Sequence, residues 1–253
     1  MRWSIGPFGV KDLFTLVNLM GGVFGVYFVM DQRPDRAGLA VLAGYLFGDT
    51  LDGFVARLTR TSNQFGSELD TATDHFVQAI VPAMIVYAVY AQGGHRAVGV
   101  ALLSVIITCA TVRQALFTVA KMGDPLMYCG LPRTVSGYAS MAFVLSRFFF
   151  RQDALSFVAG AVLVTALAIA GLLPIPYMTH RGARRMQAYV KVLVVIFLVT
   201  PALTFVVARQ FTFDVLFVYT FGYALFAWIP LHRDERRAFF ARYRQWAAEV
   251  SRA

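Results

Sequence analysis

The sequence predicts an all-α integral membrane protein, and three observations lead to this fold class. Of its 253 residues, 58% are hydrophobic and only 15% are charged, whereas a soluble domain carries about a quarter charged residues. Apolar runs long enough to span a bilayer recur along the chain. Its basic residues are divided unevenly between the segments that connect these runs, which is typical of polytopic membrane proteins.

The apolar runs predict a bundle of about eight transmembrane helices. An even number of spans places both termini on the same side of the membrane. Cytoplasmic termini leave six of the 23 Lys and Arg residues outside and put the other 17 inside, as the positive-inside rule requires. The predicted spans are 12–30, 38–58, 70–92, 97–119, 135–151, 155–175, 188–208 and 212–231.

The net charge of +9 is interpreted as topology and attraction to anionic lipid headgroups. A nucleic-acid partner is disfavoured because the basic residues are scattered among apolar spans. The two cysteines, Cys109 and Cys129, have no metal-type spacing and are predicted to be unpaired. In the tail 233–253, apolar and basic residues alternate at helical spacing, so we expect a helix on the membrane surface or, alternatively, one packed on the protein.

Four aspartates interrupt the apolar pattern of the second and third predicted helices. Asp49 and Asp52 are three residues apart and Asp70 and Asp74 are four apart, so each pair shares one helix face. The short connection makes these helices antiparallel neighbours, and the four carboxylates converge near the cytoplasmic end of the bundle. Because clustered carboxylates repel one another and resist desolvation, we expect two divalent cations, Mg²⁺ or Mn²⁺, among them.

Small residues accompany the aspartates. Gly53, Ala56 and Gly66 remove side-chain bulk and would let a nucleotide approach the backbone closely. The cations would neutralise the diphosphate of such a ligand. A purely structural role for the cluster is disfavoured, since ionisable groups inside spans are costly.

These residues form the pattern D-x-x-D-G-x-x-A-R, eight residues, then G-x-x-x-D-x-x-x-D, from Asp49 to Asp74. The sequence matches every fixed position and is identified as a member of the CDP-alcohol phosphotransferase family. Other segments resemble the phosphatidylserine synthase branch of that family. They are Phe14–Leu19, Ala56–Ser62, Phe65–Gly66, Pro82–Ala83 and Gly130–Pro132.

The resemblance implies a core of six transmembrane helices around the metal site, usually in a homodimer. We therefore expect residues 1–180 to form this core, 181–232 to add two transmembrane helices, and 233–253 to be a basic amphipathic cytoplasmic tail. The protein would lie in the bacterial inner or cell membrane, with its active site facing the cytoplasm.

The resemblance also implies roles for single residues. Asp49, Asp52 and Asp70 would ligate the metals. Asp74 would touch the second metal and act as general base on the acceptor hydroxyl. The CDP pocket would be shaped by Asp49, Gly53, Ala56, Arg57 and Gly66. The implied reaction transfers the phosphatidyl group of CDP-diacylglycerol to L-serine, giving phosphatidylserine and CMP.

The acceptor is the least constrained part of this expectation. The stretch from Arg113 to Phe117 keeps one arginine and the phenylalanine of the branch's R-x-A-R-F-N pattern, but lacks its second arginine. Arg113, Lys121 and Arg133 are candidates to hold an acceptor's carboxylate or phosphate; the alternative is ordinary positive-inside charge.

Other acceptors and another class of protein stay open. Glycerol 3-phosphate, inositol phosphate, choline or an ether-lipid donor would keep the same chemistry. A proton or divalent-cation carrier would also use intramembrane carboxylates. A carrier would spread its acids along several spans, whereas here they are concentrated at one end of two helices.

Overall fold

The structure, a computed structural model, describes residues 8–49, 64–119, 127–151, 153–178, 200, 203–228 and 231–251. These residues are mostly α-helical. The chain divides into two compact units, Met1–Leu103 and Ser104–Ala253. The predicted seventh span, 188–208, lies mostly outside the described residues.

The elements of the first unit, in its described part, are helices and π-helical turns. Helix α1 opens with a side-chain cap, since the Asp12 carboxylate accepts a hydrogen bond of 2.7 Å from the Gly9 amide. Helix α2 has a proline at its first position, where no amide hydrogen is needed. The elements are α1 (Val10–Met30), α2 (Pro34–Gly44) with a π-helical turn (Tyr45–Asp49), α3 (Gln64–His75), a second π-helical turn (Phe76–Ile80) and α4 (Val81–Gln92).

Glycines bring α1 and α2 into close contact. A Cβ atom on Gly21 would lie 2.6 Å from the Gly44 Cα and 2.8 Å from the Ala40 carbonyl oxygen. Small residues at such crossings allow backbones to approach in membrane proteins, where packing stabilises helix pairs. This contact fixes α2, and with it the π-helical turn that ends at Asp49.

Three helices in the described part of the chain are long and apolar enough to cross a membrane: Lys11–Met30, Gln64–Gln92 and Arg96–Thr118. The predicted all-α membrane class is thereby confirmed. The second of these spans is 61% buried, whereas the third is only 11% buried. Most residues of the third, helix α5 (Arg96–Val119), are therefore not buried.

The second unit contains four helices of known bounds and a short β-ribbon. The helices α6 (Arg133–Leu145) and α7 (Ala154–Ala170) are followed by α8 (Thr212–Phe226) and α9 (Arg233–Val250). A 3₁₀ turn, Arg209–Phe211, precedes α8, and 203–207 is helical. Helix α7 is capped by Asp153, which accepts from the amides of Leu155 and Ser156 at 3.2 and 3.3 Å.

Two strands within the second unit were not predicted. Strand β1 (Met127–Cys129) pairs antiparallel with β2 (Pro176–Met178), with Tyr128 opposite Tyr177. Three-residue strands between apolar helices carry too little alternation to be detected from sequence. The pair joins the chain before α6 to the chain after α7.

Several predicted span boundaries differ from the structure. The third helix begins at Gln64 rather than at 70, so Asp70 lies inside the helix and not at its start. Helix α6 ends at Leu145, six residues before the predicted end at 151. Arg147 therefore lies beyond the helix.

Arg147 joins α6 to α8. Its backbone amide donates to one Asp214 oxygen at 2.7 Å, and its Nε donates to the other at 2.6 Å. The guanidinium also lies 4.2 Å above the Phe211 ring. Helix α8 packs on α6 beside this pair, with Phe143 and Phe217 in ring contact.

The apolar face of α9 is buried against the protein. Phe239 is completely buried and Trp246 is 9% exposed. Phe239 belongs to a cluster with Met127 and Met178 of the β-ribbon. This face of α9 packs on the protein, as the alternative prediction for the tail stated. Contact with the membrane surface remains a prediction for the other side of the helix.

Candidate metal centre

Three of the four predicted aspartates converge in the first unit. Asp49, Asp70 and Asp74 each offer one carboxylate oxygen, and these oxygens lie within 4.8 Å of one another. All three side chains are half-buried. Asp52, the fourth predicted ligand, lies outside the described residues, as do Gly53, Ala56 and Arg57.

The donor set and its spacing suit a hard divalent cation. Carboxylate oxygens bind Mg²⁺ at about 2.0–2.1 Å, so two oxygens on one ion lie about 3–4 Å apart. Two-metal sites hold their ions about 3.5–4 Å apart. Oxygens that converge within 4.8 Å therefore fit the ligands of one ion or of a closely spaced pair.

Both helices that carry the aspartates contain a π-helical turn beside the site. Asp49 is the last residue of the turn Tyr45–Asp49. In the other helix the turn Phe76–Ile80 begins two residues after Asp74. A π-turn inserts an extra residue into the helix and rotates the residues that follow, and such turns are frequent at functional sites. No sequence signal indicated either turn.

Helix α1, which packs against the π-helical turn that carries Asp49, has three buried polar side chains that were not predicted. Asp12, Thr15 and Asn18 recur every three residues on one side of α1, and each is at most 1% exposed. Gly48, next to Asp49, touches this helix: a Cβ on it would lie 2.5 Å from the Asn18 amide nitrogen and 2.7 Å from the Phe14 carbonyl oxygen. The spacing of polar residues in an otherwise apolar run was the available signal.

The same helix covers Gly66, which was expected to shape the CDP pocket. A Cβ on Gly66 would meet the Asp12 carboxylate and would lie 2.5 Å from the Lys11 ammonium nitrogen. Lys11 and Asp12 form an ion pair of 3.0 Å. The missing side chain thus makes room for this pair, and the role of Gly66 in CDP binding stays a prediction.

The candidate acceptor residues Arg113 and Arg133 lie in the second unit. One terminal nitrogen of Arg113 donates to the carbonyl oxygens of Cys129 and Gly171 at 2.6 and 2.7 Å. Arg133 donates to the Gln114 side chain at 2.5 Å. Arg113 therefore holds the chain around the β-ribbon, and the acceptor role of both arginines stays a prediction. Lys121 lies outside the described residues.

Gly130, directly after strand β1, occupies a position that favours glycine. Its φ of +71° is a conformation that L side chains rarely adopt. A Cβ there would also collide with the Gly171 carbonyl oxygen, which is the second acceptor for Arg113.

Comparison with curated proteins finds relatives that match about half of this chain. A CDP-diacylglycerol–serine O-phosphatidyltransferase of Helicobacter pylori (strain 26695) is 29% identical over 122 residues, which is 48% of this chain and 51% of the relative. The proteins of that name from Saccharomyces cerevisiae and Methanocaldococcus jannaschii are 33% and 29% identical, over 138 and 125 residues. These matches cover 49% of this chain in both cases, and 49% and 54% of the relatives.

The chain thus spans about half the length of the curated relatives it matches. A family model described as CDP-alcohol phosphatidyltransferase matches residues 9–172, which include all three converging aspartates. Since this match covers more than half of the chain, the protein belongs to the CDP-alcohol phosphatidyltransferase family.

Proposed function

We propose that the protein transfers the phosphatidyl group of CDP-diacylglycerol to the hydroxyl of L-serine, releasing phosphatidylserine and CMP. The observation that carries this proposal is the convergence of Asp49, Asp70 and Asp74 within the family's signature. The names of these relatives, all CDP-diacylglycerol–serine O-phosphatidyltransferases, support serine as the acceptor.

Asp49, Asp52 and Asp70 would hold two Mg²⁺ or Mn²⁺ ions, with Asp74 as a further ligand of the second. When bound, such ions offset the negative charge of a diphosphate and polarise the phosphorus under attack. The CDP pocket is proposed to consist of Asp49, Gly53, Ala56, Arg57 and Gly66.

Asp74 is the proposed general base. A serine hydroxyl is a weak nucleophile, and a carboxylate within hydrogen-bonding reach increases its reactivity by accepting its proton. The serine oxygen forms a bond to the phosphorus of the phosphatidyl group. The bond from that phosphorus to the bridging oxygen breaks, and the oxygen leaves with CMP. The proton stays on the Asp74 carboxylate until it passes to solvent.

The wider organisation is also a proposal. Cytoplasmic termini and a cytoplasmic active site are supported by the distribution of Lys and Arg. The division into a core at 1–180, two additional helices at 181–232 and a basic tail at 233–253 is compatible with the family match at 9–172. A homodimer is proposed from the family resemblance.

The same site would serve another acceptor, such as glycerol 3-phosphate, inositol phosphate or choline, or an ether-lipid donor. A carrier of protons or divalent cations is disfavoured by the geometry, since Asp49, Asp70 and Asp74 gather in one cluster and do not line a path.

The test is CMP release by the full chain in detergent with CDP-diacylglycerol and Mn²⁺, with each candidate acceptor supplied in turn. We expect CMP with serine and none with the other alcohols. Asp74→Asn, which keeps the size of the side chain, should lower the rate by about 10²–10⁴-fold.

Release of CMP with a different alcohol would keep the chemistry and refute serine as acceptor. Absence of CMP with every acceptor, from a folded protein that binds Mn²⁺, would refute the enzymatic proposal. Glu68→Gln is a matched control, because Glu68 is exposed and lies on the same helix outside the signature's fixed positions.

A further inference from the structure

One exposed stripe on α9 has no role in the proposed reaction. Arg233, Arg237, Phe240 and Arg244 follow one another at intervals of four, three and four residues, which places them on a single side of the helix. All four are exposed, Phe240 to 42%. We call these four residues the basic stripe.

The opposite side of α9 is fixed to the protein. Phe239 and Trp246 are buried there, and Trp246 stacks on Phe117 with ring centroids 5.8 Å apart. The stripe therefore cannot turn inward without breaking this packing, so its exposure is a fixed property of the fold.

The packing also brings α9 against the end of a candidate membrane span. Phe117 lies in the last turn of α5, whose apolar span ends at Thr118. At the other end, α9 begins shortly after α8, whose final residues include the exposed Leu225 and Phe226, followed by the exposed Trp228. Trp at the end of an apolar helix is typical of the interface between lipid and water.

Helix α9 carries five arginines and three acidic residues, and three of the arginines lie on the stripe. In the described part of the chain, no ion pair joins Arg233, Arg237 or Arg244 to a carboxylate. Glu235 is used at the helix start, where it accepts a hydrogen bond of 2.8 Å from the His232 amide. Arg244 donates to the Phe240 carbonyl oxygen at 3.4 Å, which keeps its guanidinium along the stripe.

We infer that the basic stripe is a binding surface for anionic phospholipid headgroups. Guanidinium groups pair with lipid phosphates through charge-assisted hydrogen bonds, and an anionic leaflet attracts clustered arginines. Phe240, exposed among three arginines, is unfavourable in water but enters the acyl boundary when the arginines reach the headgroups. One side of α9 thus binds the protein and the other binds lipid.

The experiment measures the surroundings of position 240 in lipid. A Phe240→Cys chain, labelled with an environment-sensitive fluorophore, is reconstituted into vesicles of phosphatidylcholine alone or with phosphatidylglycerol. The parent chain, taken through the same labelling reaction, serves as blank for label on Cys109 and Cys129. We expect phosphatidylglycerol to shift the emission to the blue and to increase quenching by acyl-brominated lipid, with both effects reduced by high salt.

The phosphatidylglycerol fraction that gives half of the emission shift measures how strongly the stripe binds. This fraction should rise by roughly an order of magnitude when the Phe240→Cys chain also carries Arg233→Gln, Arg237→Gln and Arg244→Gln. The control variant loses the same charge at exposed positions on the predicted opposite side of the membrane, through Arg33→Gln, Arg36→Gln and Arg96→Gln. It should leave the phosphatidylglycerol fraction unchanged. A label at Gln245, which is exposed off the stripe, should not respond.

Three results would overturn the inference: a shift independent of phosphatidylglycerol, a shift that survives loss of the three arginines, or a shift that depends on protein concentration at fixed lipid composition. The last would assign the stripe to contact with a second copy of the chain. None of these readouts depends on the proposed enzymatic activity.

Discussion

At the level of single residues, the position of Asp49 depends on the glycine that precedes it. Gly48 lies so close to α1 that its Cα packs against the backbone of Phe14 and Asn18. Asp49 follows directly at the end of a π-helical turn. Contact between α1 and this turn therefore sets where one of the three carboxylates points.

Gly48→Ala should damage the metal centre. The added methyl group would meet backbone atoms at 2.5 and 2.7 Å, which cannot move aside as a flexible side chain would. We expect a loss of about 1–3 kcal/mol of stability, typical of overpacking, together with weaker Mn²⁺ binding in a titration followed by electron paramagnetic resonance.

Gly222→Ala is the matched control, because a Cβ on Gly222 meets nothing within 4 Å. That variant should melt at or above the temperature of the unaltered protein. Equal Mn²⁺ affinity in the Gly48 variant and the unaltered chain would show that α1 does not position Asp49.

Cys129 shows how burial controls reactivity in the β-ribbon. Burial raises the pKa of its thiol to about 11, and the Arg113 guanidinium opposes this rise. The reactive thiolate is therefore scarce at pH 8. Alkylation at that pH should be about two orders of magnitude slower than for an ordinary cysteine of pKa about 8.5.

The rate should rise with pH until the pH reaches about 11, because the neutral thiol predominates below its pKa. Mass spectrometry of iodoacetamide-treated protein measures this rate. The same cysteine in the denatured chain provides the reference. Equal rates at pH 8 in the folded and denatured chains would contradict the buried, neutral thiol.

At the level of elements, the candidate site was partly predictable. Paired aspartates at helical spacing on two neighbouring helices were evident from the sequence, and Asp49, Asp70 and Asp74 do converge. The π-helical turns were not predictable, since they arise from packing against neighbouring helices and not from local propensity. The buried polar residues of α1 were not predicted, because Asp12, Thr15 and Asn18 each look ordinary when considered singly.

The contact between α6 and α8 could also not be predicted from the sequence. Arg147 was assigned to a span, yet it lies after the helix end and reaches 67 residues along the chain to Asp214. Long-range pairs of this kind leave no local pattern. The contact shows that α8 is part of the packed second unit.

Asp214→Ala should destabilise the protein by about 1.5–3 kcal/mol, because two short hydrogen bonds from Arg147 lose a charged acceptor. Asp214→Asn keeps one acceptor and should cost less. Thermal unfolding in detergent gives the comparison.

Asp31→Ala offers the control for that measurement. Asp31 pairs with Arg33 at 3.3 Å, but both side chains are well exposed, and exposed pairs contribute at most about 1 kcal/mol. Equal melting temperatures for the two alanine variants would rule out a stabilising role for the contact between α6 and α8.

For the whole molecule, the fold class was predictable from composition together with the recurring apolar runs, because apolar segments of this length are stable as helices in a bilayer. The long spans α1 and α5 were predicted within a few residues. Predicted helix boundaries differed more from the structure where polar residues lie within a helix, as at Gln64. The β-ribbon was missed because its pairing connects chain segments about 50 residues apart.

The proposed orientation predicts the behaviour of reporter fusions. Green fluorescent protein fused after Ala253 should fluoresce in the cytoplasm, and alkaline phosphatase inserted at Gly94, in the turn between α4 and α5, should be active outside. The asymmetry of Lys and Arg is the physical reason. The opposite pattern of the two reporters would invert the proposed topology.

The protein is proposed to transfer a phosphatidyl group to serine at the site that contains Asp49, Asp70 and Asp74. The most direct measurement is the incorporation of labelled serine into extractable lipid by the full chain, with CDP-diacylglycerol and Mn²⁺. We predict labelled lipid that disappears on chelation, returns with added Mn²⁺, and forms about 10²–10⁴-fold more slowly with Asp74→Asn. CMP release without labelled lipid, or labelled lipid formed by the Asp74 variant at the rate of the unaltered protein, would contradict the proposed function.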